Sequence, residues 1–292
     1  MISFFNAVLP NIGFYYLVTP NPKGFGFIHY SCSTIDEMIV KANQLDSESQ
    51  TVYFACASFK QKSYQDVDGK VRFRTAENAG WAKAFWLDID CGPKKAEEGK
   101  GYLSANEAKE NLHQFIQDLG LPVPMIVSSG GGLHVYWTLT ETISKDEWRP
   151  VADKFKSLTH KRGLLADDSR TSDIASILRP VGTHNWKPEH GGKEVRLKLA
   201  AKPSSFTEFQ VCVESAYGKY CTPKIIKSPI GNVGKLANPE TPENIARVKS
   251  ALSKIDPNCN RDIWRDICFA IHGFNWGCSE DLARRWSRGD FQ

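Results

Sequence analysis

The chain has 292 residues, of which 37 are Lys or Arg and 33 are Asp or Glu, so its formal net charge is +4. Hydrophobic residues make up 41% and aromatic residues 11% of the sequence, which excludes disordered, collagen-like and coiled-coil proteins. No apolar stretch approaches the roughly 18 residues of a membrane span, and residues 1–5 lack the pattern of a secretory signal. We therefore expect a cytoplasmic protein without a membrane partner.

The first half of the chain predicts strands followed by a helix. Two β-rich runs, 51–59 and 84–90, are typical of buried strands. In 104–119 the apolar residues recur at helical spacing, and Ser104 followed by Glu107 is the capping pattern of a helix start. Gly120 and two prolines then end the predicted helix.

A β-hairpin and a second helix follow. The runs 125–127 and 133–137 flank a Ser-Ser-Gly-Gly-Gly turn, which predicts two paired strands. Apolar residues on one face of 145–162 predict a helix that ends at Gly163. Both elements precede the polar segment in which further candidate site residues lie.

The C-terminal part separates from the rest by composition. Prolines and glycines interrupt 223–242, which we interpret as a linker between a catalytic domain at 1–222 and a helical domain at 243–292. Thr241 and Pro242 have the chemistry of a helix N-cap and first turn. Because about 50 residues are near the lower limit for independent folding, we expect the chain to be a fragment of a longer protein.

The eight cysteines predict neither disulfides nor a zinc site. They are scattered singly, and no two of them are spaced Cys-x-x-Cys. Structural zinc sites usually use such close pairs. We therefore expect reduced thiols and no zinc.

Basic residues are concentrated in one segment. Residues 179–235 contain ten Lys or Arg and four acids, a local charge of +6, which leaves −2 for the remainder. Such an excess is the footprint of a phosphate-bearing partner, and an ordinary solvated surface also produces it. The charge alone does not choose between the two.

Two carboxylates, Asp88 and Asp90, lie at the C-terminal end of the predicted strand at 84–90. Side chains alternate along a strand, so Trp86, Asp88 and Asp90 share one face. Like charges this close are unfavourable unless a cation or water reaches both. The pattern favours a Mg²⁺ or Mn²⁺ site, and a strand end with solvated acids is the alternative.

The hairpin turn at 128–132 is rich in small residues. Its glycines would let the backbone approach an anion and present N–H groups to it. His134 and Tyr136 project from the face opposite to the buried one, where the imidazole could contact a triphosphate. A flexible turn beside a surface histidine is the alternative reading.

A third polar segment covers 164–187. Its hydrophobic run delivers Asp167, which could supply a third carboxylate, and Arg179 and Lys187 could meet phosphates. Taken alone, the segment is an ordinary polar loop. The segment indicates a function only together with the two preceding motifs.

In this order, the three motifs resemble the archaeo-eukaryotic primase superfamily, and most of all the primase-polymerases of phages and plasmids. The resemblance covers roughly 50–200 and rests on Asp-Ile-Asp, Gly-Leu-His some 45 residues later, and a hydrophobic-Asp before Leu-Arg-Pro-Val-Gly-Thr-His-Asn-Trp-Lys. It implies a two-part α/β catalytic core with an RRM-like half that carries the metal site. The terminal helices resemble a primase C-terminal domain, which implies a helicase domain beyond it.

The resemblance also implies roles for individual residues. Asp88, Asp90 and Asp167 match the ligands of two divalent ions, Mg²⁺ or Mn²⁺, with Asp168 and Asp173 as rivals of Asp167. His134 matches a histidine that contacts the nucleotide. The implied nucleotide-binding residues are Ser129, Gly132, His134, Arg179, Thr183, Asn185 and Lys187.

The function implied is template-dependent nucleotide transfer, as DNA primase and DNA polymerase, on single-stranded DNA with NTPs or dNTPs. A catalytically silent nucleic-acid-binding module of a replication protein stays open as an alternative, because the basic segment would serve it equally. A metal-dependent Asp-x-Asp glycosyltransferase is a third reading, which leaves the Gly-Leu-His and Arg-Pro-Val-Gly-Thr segments unexplained. A rolling-circle nuclease is disfavoured because the chain has no His-x-His pair.

Overall fold

The computed structural model describes residues 1–221, 239–259 and 261–291, which belong to two compact units. The predicted linker at 223–242 lies outside the described residues except for its last four positions. The strands are β1 Tyr15–Pro20, β2 Phe27–Cys32, β3 Tyr53–Ala55, β4 Ser58–Phe59, β5 Tyr64–Gln65, β6 Val71–Arg72, β7 Ala79–Asp90, β8 Met125–Ser128, β9 Gly132–Ser144, β10 Ile177–Leu178, β11 His184–Asn185, β12 Lys193–Glu194 and β13 Arg196–Leu199. The α-helices are α1 Ile2–Val8, α2 Ile35–Ser47, α3 Pro93–Glu97, α4 Ala105–Leu119, α5 Lys145–Arg162, α6 Asp168–Thr171, α7 Phe206–Tyr220, α8 Pro242–Leu252, α9 Arg261–His272 and α10 Ser279–Ser287.

Two antiparallel sheets organise the first unit, which confirms the expected mixed α/β class. The larger sheet has the strand order β13-β8-β9-β7-β4, and the smaller one has the order β10-β3-β1-β2. The ribbons β11-β12 and β5-β6 are separate. In the larger sheet β7 and β9 are the long central strands, so their facing residues lie deep in the unit.

The composition of 51–59 predicts one strand, but the structure has two short strands there. Tyr53–Ala55 pairs in the smaller sheet, whereas Ser58–Phe59 pairs with β7 in the larger one. Between them the backbone N–H of Cys56 donates to the carbonyl of Ser176 at 3.0 Å. The run thus crosses from one sheet to the other, a change that long-range pairing determines and local propensity does not.

Aromatic side chains cover both faces of the larger sheet. On one face Phe85 stacks on Phe209 of α7 at 4.4 Å between ring centroids. On the other, Tyr136 meets Phe4 of α1 at 5.6 Å, and Trp86 is fully buried. The prediction that Tyr136 projects from an open face is therefore wrong, because α1 and the smaller sheet cover that face.

The predicted helix ends are confirmed. The hydroxyl of Ser104 accepts from the N–H of Glu107, and Gly120 closes α4 with a φ of 64°. Ser144 and Glu147 form a reciprocal capping box at the start of α5, and Gly163 ends it with a φ of 69°. These caps fix where α4 and α5 begin and end.

The second unit is helical, as its apolar spacing predicts. Thr241 caps α8 by accepting from the N–H of Asn244. Three helices, α8, α9 and α10, surround a small core in which Trp286 is fully buried and donates its indole N–H to the carbonyl of Ile255 at 3.0 Å.

Neither a disulfide nor a membrane span occurs in the part of the chain that the structure describes. All eight cysteines are free thiols. Among the described residues no helix is both long enough and apolar enough to cross a membrane.

Candidate functional site

The site begins at the C-terminal end of β7, where the antiparallel register brings the first two motifs together. Asp88 lies opposite His134, and Asp90 lies opposite Gly132. Residues paired across antiparallel strands point to the same face of the sheet. The Asp-Ile-Asp and Gly-Leu-His motifs, about 45 residues apart in sequence, are therefore direct neighbours in space.

Asp167 joins this pair through the backbone. Its N–H donates to the carbonyl oxygen of Asp88 at 2.7 Å. The Asp167 carboxylate caps α6 by accepting from the N–H of Ser169 at 2.9 Å and from its hydroxyl at 2.6 Å. The third motif thus packs directly against the first.

The two rival aspartates have other partners. Asp168 pairs with His160 at 2.9 Å, and Asp173 accepts from the backbone N–H of Ala175 at 2.9 Å. Of the three candidates, Asp167 is therefore the one bonded to Asp88. Its role as a metal ligand stays a prediction.

The carboxyl of Asp88 is strongly perturbed. Burial, followed by the neighbouring charge of Asp90, raises its pKa from 3.8 to about 7, and Asp167 adds to the rise while Arg179 opposes it. Only 22% of its side chain is exposed. The site thus disfavours the charged form of Asp88 unless a further cation reaches it.

Two cations already meet the other carboxylates. The ammonium of Lys95 lies 2.6 Å from Oδ2 of Asp90, and Nε of Arg170 lies 3.5 Å from Oδ2 of Asp167. Neither cation was singled out from the sequence. The Gly-Pro-Lys-Lys that follows the Asp-Ile-Asp strand was the available signal for Lys95, because α3 starts at that proline and turns the lysine back.

The metal-ligand set is incomplete in this arrangement. Among the residues that the structure describes, no group of three or more His, Cys, Asp or Glu side chains could hold a metal ion. The reason is visible in the contacts above, since Asp90 faces Lys95 and Asp167 caps α6. The binding of two divalent ions therefore remains a prediction.

His134 is buried rather than solvated. Its side chain is 1% exposed, and Nε2 lies 3.7 Å from Oδ1 of Asp88. Burial, with a smaller effect of the charge of Arg179, holds the pKa of His134 well below 6.5. The expectation of an imidazole on an open face is therefore wrong, and the ring is neutral at physiological pH.

Arg179, in the third motif, contacts the hairpin turn at 128–132. Its guanidinium is largely buried and donates to the carbonyl of Ser129 and to the hydroxyl of Tyr53, at 3.5 and 3.3 Å. The side-chain amide of Asn185 also donates to the Ser129 carbonyl, at 3.5 Å. Three of the predicted nucleotide-binding residues, Ser129, Arg179 and Asn185, therefore meet at one point.

The glycines of the turn are needed for packing against protein atoms. A Cβ at Gly130 would lie 2.8 Å from Cβ of Asn185, and one at Gly131 would lie 2.7 Å from the His190 ring. A Cβ at Gly132 would overlap the carbonyl of Ile89. Close approach here serves the contact between segments, and anion binding by the turn stays a prediction.

The remaining predicted residues divide by burial. Thr183 is fully buried and donates its hydroxyl to the carbonyl of Pro180 at 2.9 Å, and Asn185 is fully buried as well. Lys187 is exposed. The first two hold the loop, so in this arrangement only Lys187 of these three faces solvent.

An Asp–His pair that the sequence did not suggest anchors the same loop. The carboxylate of Asp46, at the end of α2, accepts from the backbone N–H of His184 at 2.7 Å and contacts its Nδ1 at 2.8 Å. The indole N–H of Trp186 donates to the same carboxylate at 2.9 Å. Nothing in the local sequence of α2 marks this long-range contact.

No protein-family model matches the chain, and no curated protein matches it in sequence. Among solved structures, it is similar to the AEP domain of the primase-polymerase of cyanophage S-2L, with 11% identity, 70% of this chain and 89% of that chain covered, and a TM-score of 0.47. It is also similar to the catalytic domain of the primase RepB′ in complex with initiator DNA, with 12% identity, 74% and 90% coverage and a TM-score of 0.46. A further RepB′ primase structure has 11% identity, 98% and 91% coverage and a TM-score of 0.46. Similarities at this level do not assign an activity.

Proposed function

We propose that the chain is a template-dependent nucleotidyltransferase that makes primers on single-stranded DNA and extends them. The observation that carries the proposal is that the charges of Asp90 and Asp167 act on the buried carboxyl of Asp88, with the buried guanidinium of Arg179 near the same carboxyl. Such a site combines oxygen donors for divalent ions with a fixed cation for phosphate. The ordered motifs of the sequence support the same reading.

The donor chemistry fits Mg²⁺ or Mn²⁺. Burial, and then the charges of Asp90 and Asp167, raise the pKa of Asp88, and a hard cation relieves that cost. Asp88, Asp90 and Asp167 would hold the ions. When bound, such ions activate the attacking hydroxyl and stabilise the leaving pyrophosphate.

The protein's own side chains would hold the substrates. Arg179 forms no ion pair with any carboxylate of the described residues, so its charge is available to a triphosphate. Neutral His134 can donate one ring N–H to a phosphate oxygen without adding charge. Exposed Lys187 would meet the same triphosphate, and the template would lie along the remainder of the basic segment.

A catalytically silent nucleic-acid-binding module is the second candidate. The observation in its favour is that Lys95 and Arg170 already neutralise two of the carboxylates. Counter-ions at two of the three carboxylates lower the electrostatic gain from binding metal there. DNA would then bind through the basic segment alone.

The deciding experiment incubates the full chain with unprimed single-stranded DNA, either NTPs or dNTPs, and Mg²⁺ or Mn²⁺, and resolves the products by length. We expect products from the unaltered chain and none from Asp88→Asn. Asp153→Asn is the matched control, because that carboxylate is half exposed and its one ion-pair partner among the described residues is Arg149 on α5. DNA binding without synthesis by the unaltered chain would favour the silent module.

A further inference from the structure

One face of the smaller sheet carries aromatic side chains that the proposed reaction does not use. Val18 of β1 pairs with His29 on one side and with Tyr53 on the other, so these two residues point to the same face. Phe27, two positions before His29, shares it. We call Phe27, His29, Tyr53 and the adjoining Phe73 the aromatic face.

The members of the aromatic face form two pairs. Phe27 meets Tyr53 edge to face, with 6.0 Å between centroids, and His29 stacks on Phe73 at 5.6 Å and 14°. The opposite face of the sheet is packed under helices, since Phe54 contacts Phe4 and Phe5 of α1. The middle of the aromatic face is also covered, since Val18 is fully buried, and solvent reaches the face at its edge, where Phe27 lies.

Both pairs leave a ring in solvent. Phe27 is 39% exposed and Phe73 is 40% exposed. Exposed large apolar groups that lie together on one surface usually mark a binding site.

The aromatic face continues directly from the carboxylate site. The guanidinium of Arg179 lies over the Tyr53 ring, 5.0 Å from its centroid, while also donating to the Ser129 carbonyl of the hairpin turn. One side chain therefore touches both regions. A strand leaving the reaction centre past Arg179 would reach Tyr53 and then Phe27.

Positive charge accompanies the rings. Arg74 follows Phe73 in sequence and donates to the carbonyl of Ala175, and Arg179 lies at Tyr53. Neither forms an ion pair with a carboxylate of the described residues. Aromatic rings beside unpaired cations are the combination with which proteins hold unpaired nucleic-acid strands, since the rings stack on bases and the cations meet phosphates.

We propose that the aromatic face stacks the unpaired bases of the single-stranded DNA template, with Phe27 and Phe73 as the exposed stacking platforms. The identification of that strand as template rests on the proposed function, whereas the binding of bases does not. Stacking on a protein ring accepts any base, so the surface would hold the template without reading its sequence.

The test uses the full chain and two fluorescent single strands of about 16 nucleotides, one normal and one with abasic positions throughout its centre. Both carry the same phosphates, so the comparison isolates contacts to the bases, and the variants then assign those contacts to the rings. We expect the unaltered chain to bind normal DNA at least tenfold more tightly than abasic DNA. Phe27→Ala with Phe73→Ala should remove most of that difference and leave the salt dependence unchanged, because no charge is lost.

The controls separate stacking from folding. Phe269→Ala removes an exposed ring from α9, 68% exposed, and should not change the preference for normal DNA. Tyrosine at positions 27 and 73 should retain it, since tyrosine also stacks. Equal affinity of the unaltered chain for both strands, or no binding to either, would overturn the inference, and so would an unchanged preference in the double alanine variant.

Failure of the inference is distinguishable from failure of the proposed function. If the unaltered chain prefers normal DNA and loses that preference in the double variant but makes no product, stacking stands and the nucleotidyltransferase proposal falls. If products form while abasic DNA binds equally well, the reverse holds.

Discussion

Replacing Asp88 by Asn should stabilise the ligand-free protein at high pH and change little at low pH. The folded-state pKa of Asp88 is raised from 3.8 to about 7 by burial and by Asp90. The protonated Asp88 carboxyl therefore contributes fully to the free energy of unfolding below about pH 4, and this contribution is lost as the pH rises through about 7. Asparagine has nearly the same shape and cannot ionise, so it escapes this loss.

The magnitude follows from the same values. A rise from 3.8 to about 7 corresponds to about 4 kcal/mol at about 1.4 kcal/mol per pH unit. The carboxyl is 22% exposed, so solvent reduces the cost. We expect Asp88→Asn to stabilise the sheet by about 2 kcal/mol at pH 8.5 and by less than about 0.5 kcal/mol at pH 4.5.

Hydrogen exchange of the β7 amides measures this change in stability, because β7 carries Asp88 and its amides exchange when the larger sheet opens. Each variant is compared with the unaltered chain at the same pH and in the presence of EDTA. Asp153→Asn, on the exposed side of α5, is the matched control and should show no difference. Adding Mn²⁺ should stabilise the unaltered chain more than Asp88→Asn.

A destabilisation by Asp88→Asn that is equal at both pH values would refute the reasoning. It would mean that the Asp88 carboxylate is favourably held, and that burial and the charge of Asp90 do not raise its pKa. An effect of Mn²⁺ that is the same in both proteins would separately remove Asp88 from the proposed ligand set.

Three further predictions concern other parts of the first unit. His134, buried and neutral with a pKa well below 6.5, should show the neutral imidazole by nitrogen NMR at pH 6, and the larger sheet should lose stability as the pH falls below 6.5; a protonated ring at pH 6 would contradict this. Ser144→Ala removes the capping box of α5 and should cost about 1 kcal/mol in urea denaturation, whereas an unchanged midpoint would show that the cap contributes nothing. Asp46→Asn weakens the anchor of His184 and should lower stability by about 2 kcal/mol, and unchanged thermal unfolding would argue against that anchor.

Local regularities accounted for much of the fold. The period of two in β7 correctly placed Asp88 and Asp90 on one face, and the caps at Ser104 and Gly163 correctly bounded two helices. These features depend on residues within a few positions of one another, so a sequence reading can find them. The split of 51–59 between two sheets was missed because it depends on distant partners.

The sequence by itself named the chemical groups of the candidate site: carboxylates at 88, 90 and 167, a histidine at 134 and a guanidinium at 179. Only the tertiary structure decided their state. In the folded chain the N–H of Asp167 donates to the carbonyl of Asp88, and Lys95 pairs with Asp90. Burial of His134 lowers its pKa and favours the neutral ring. The physical reason is that burial and the nearest charge set the protonation of a group, and both come from segments that are far away in sequence.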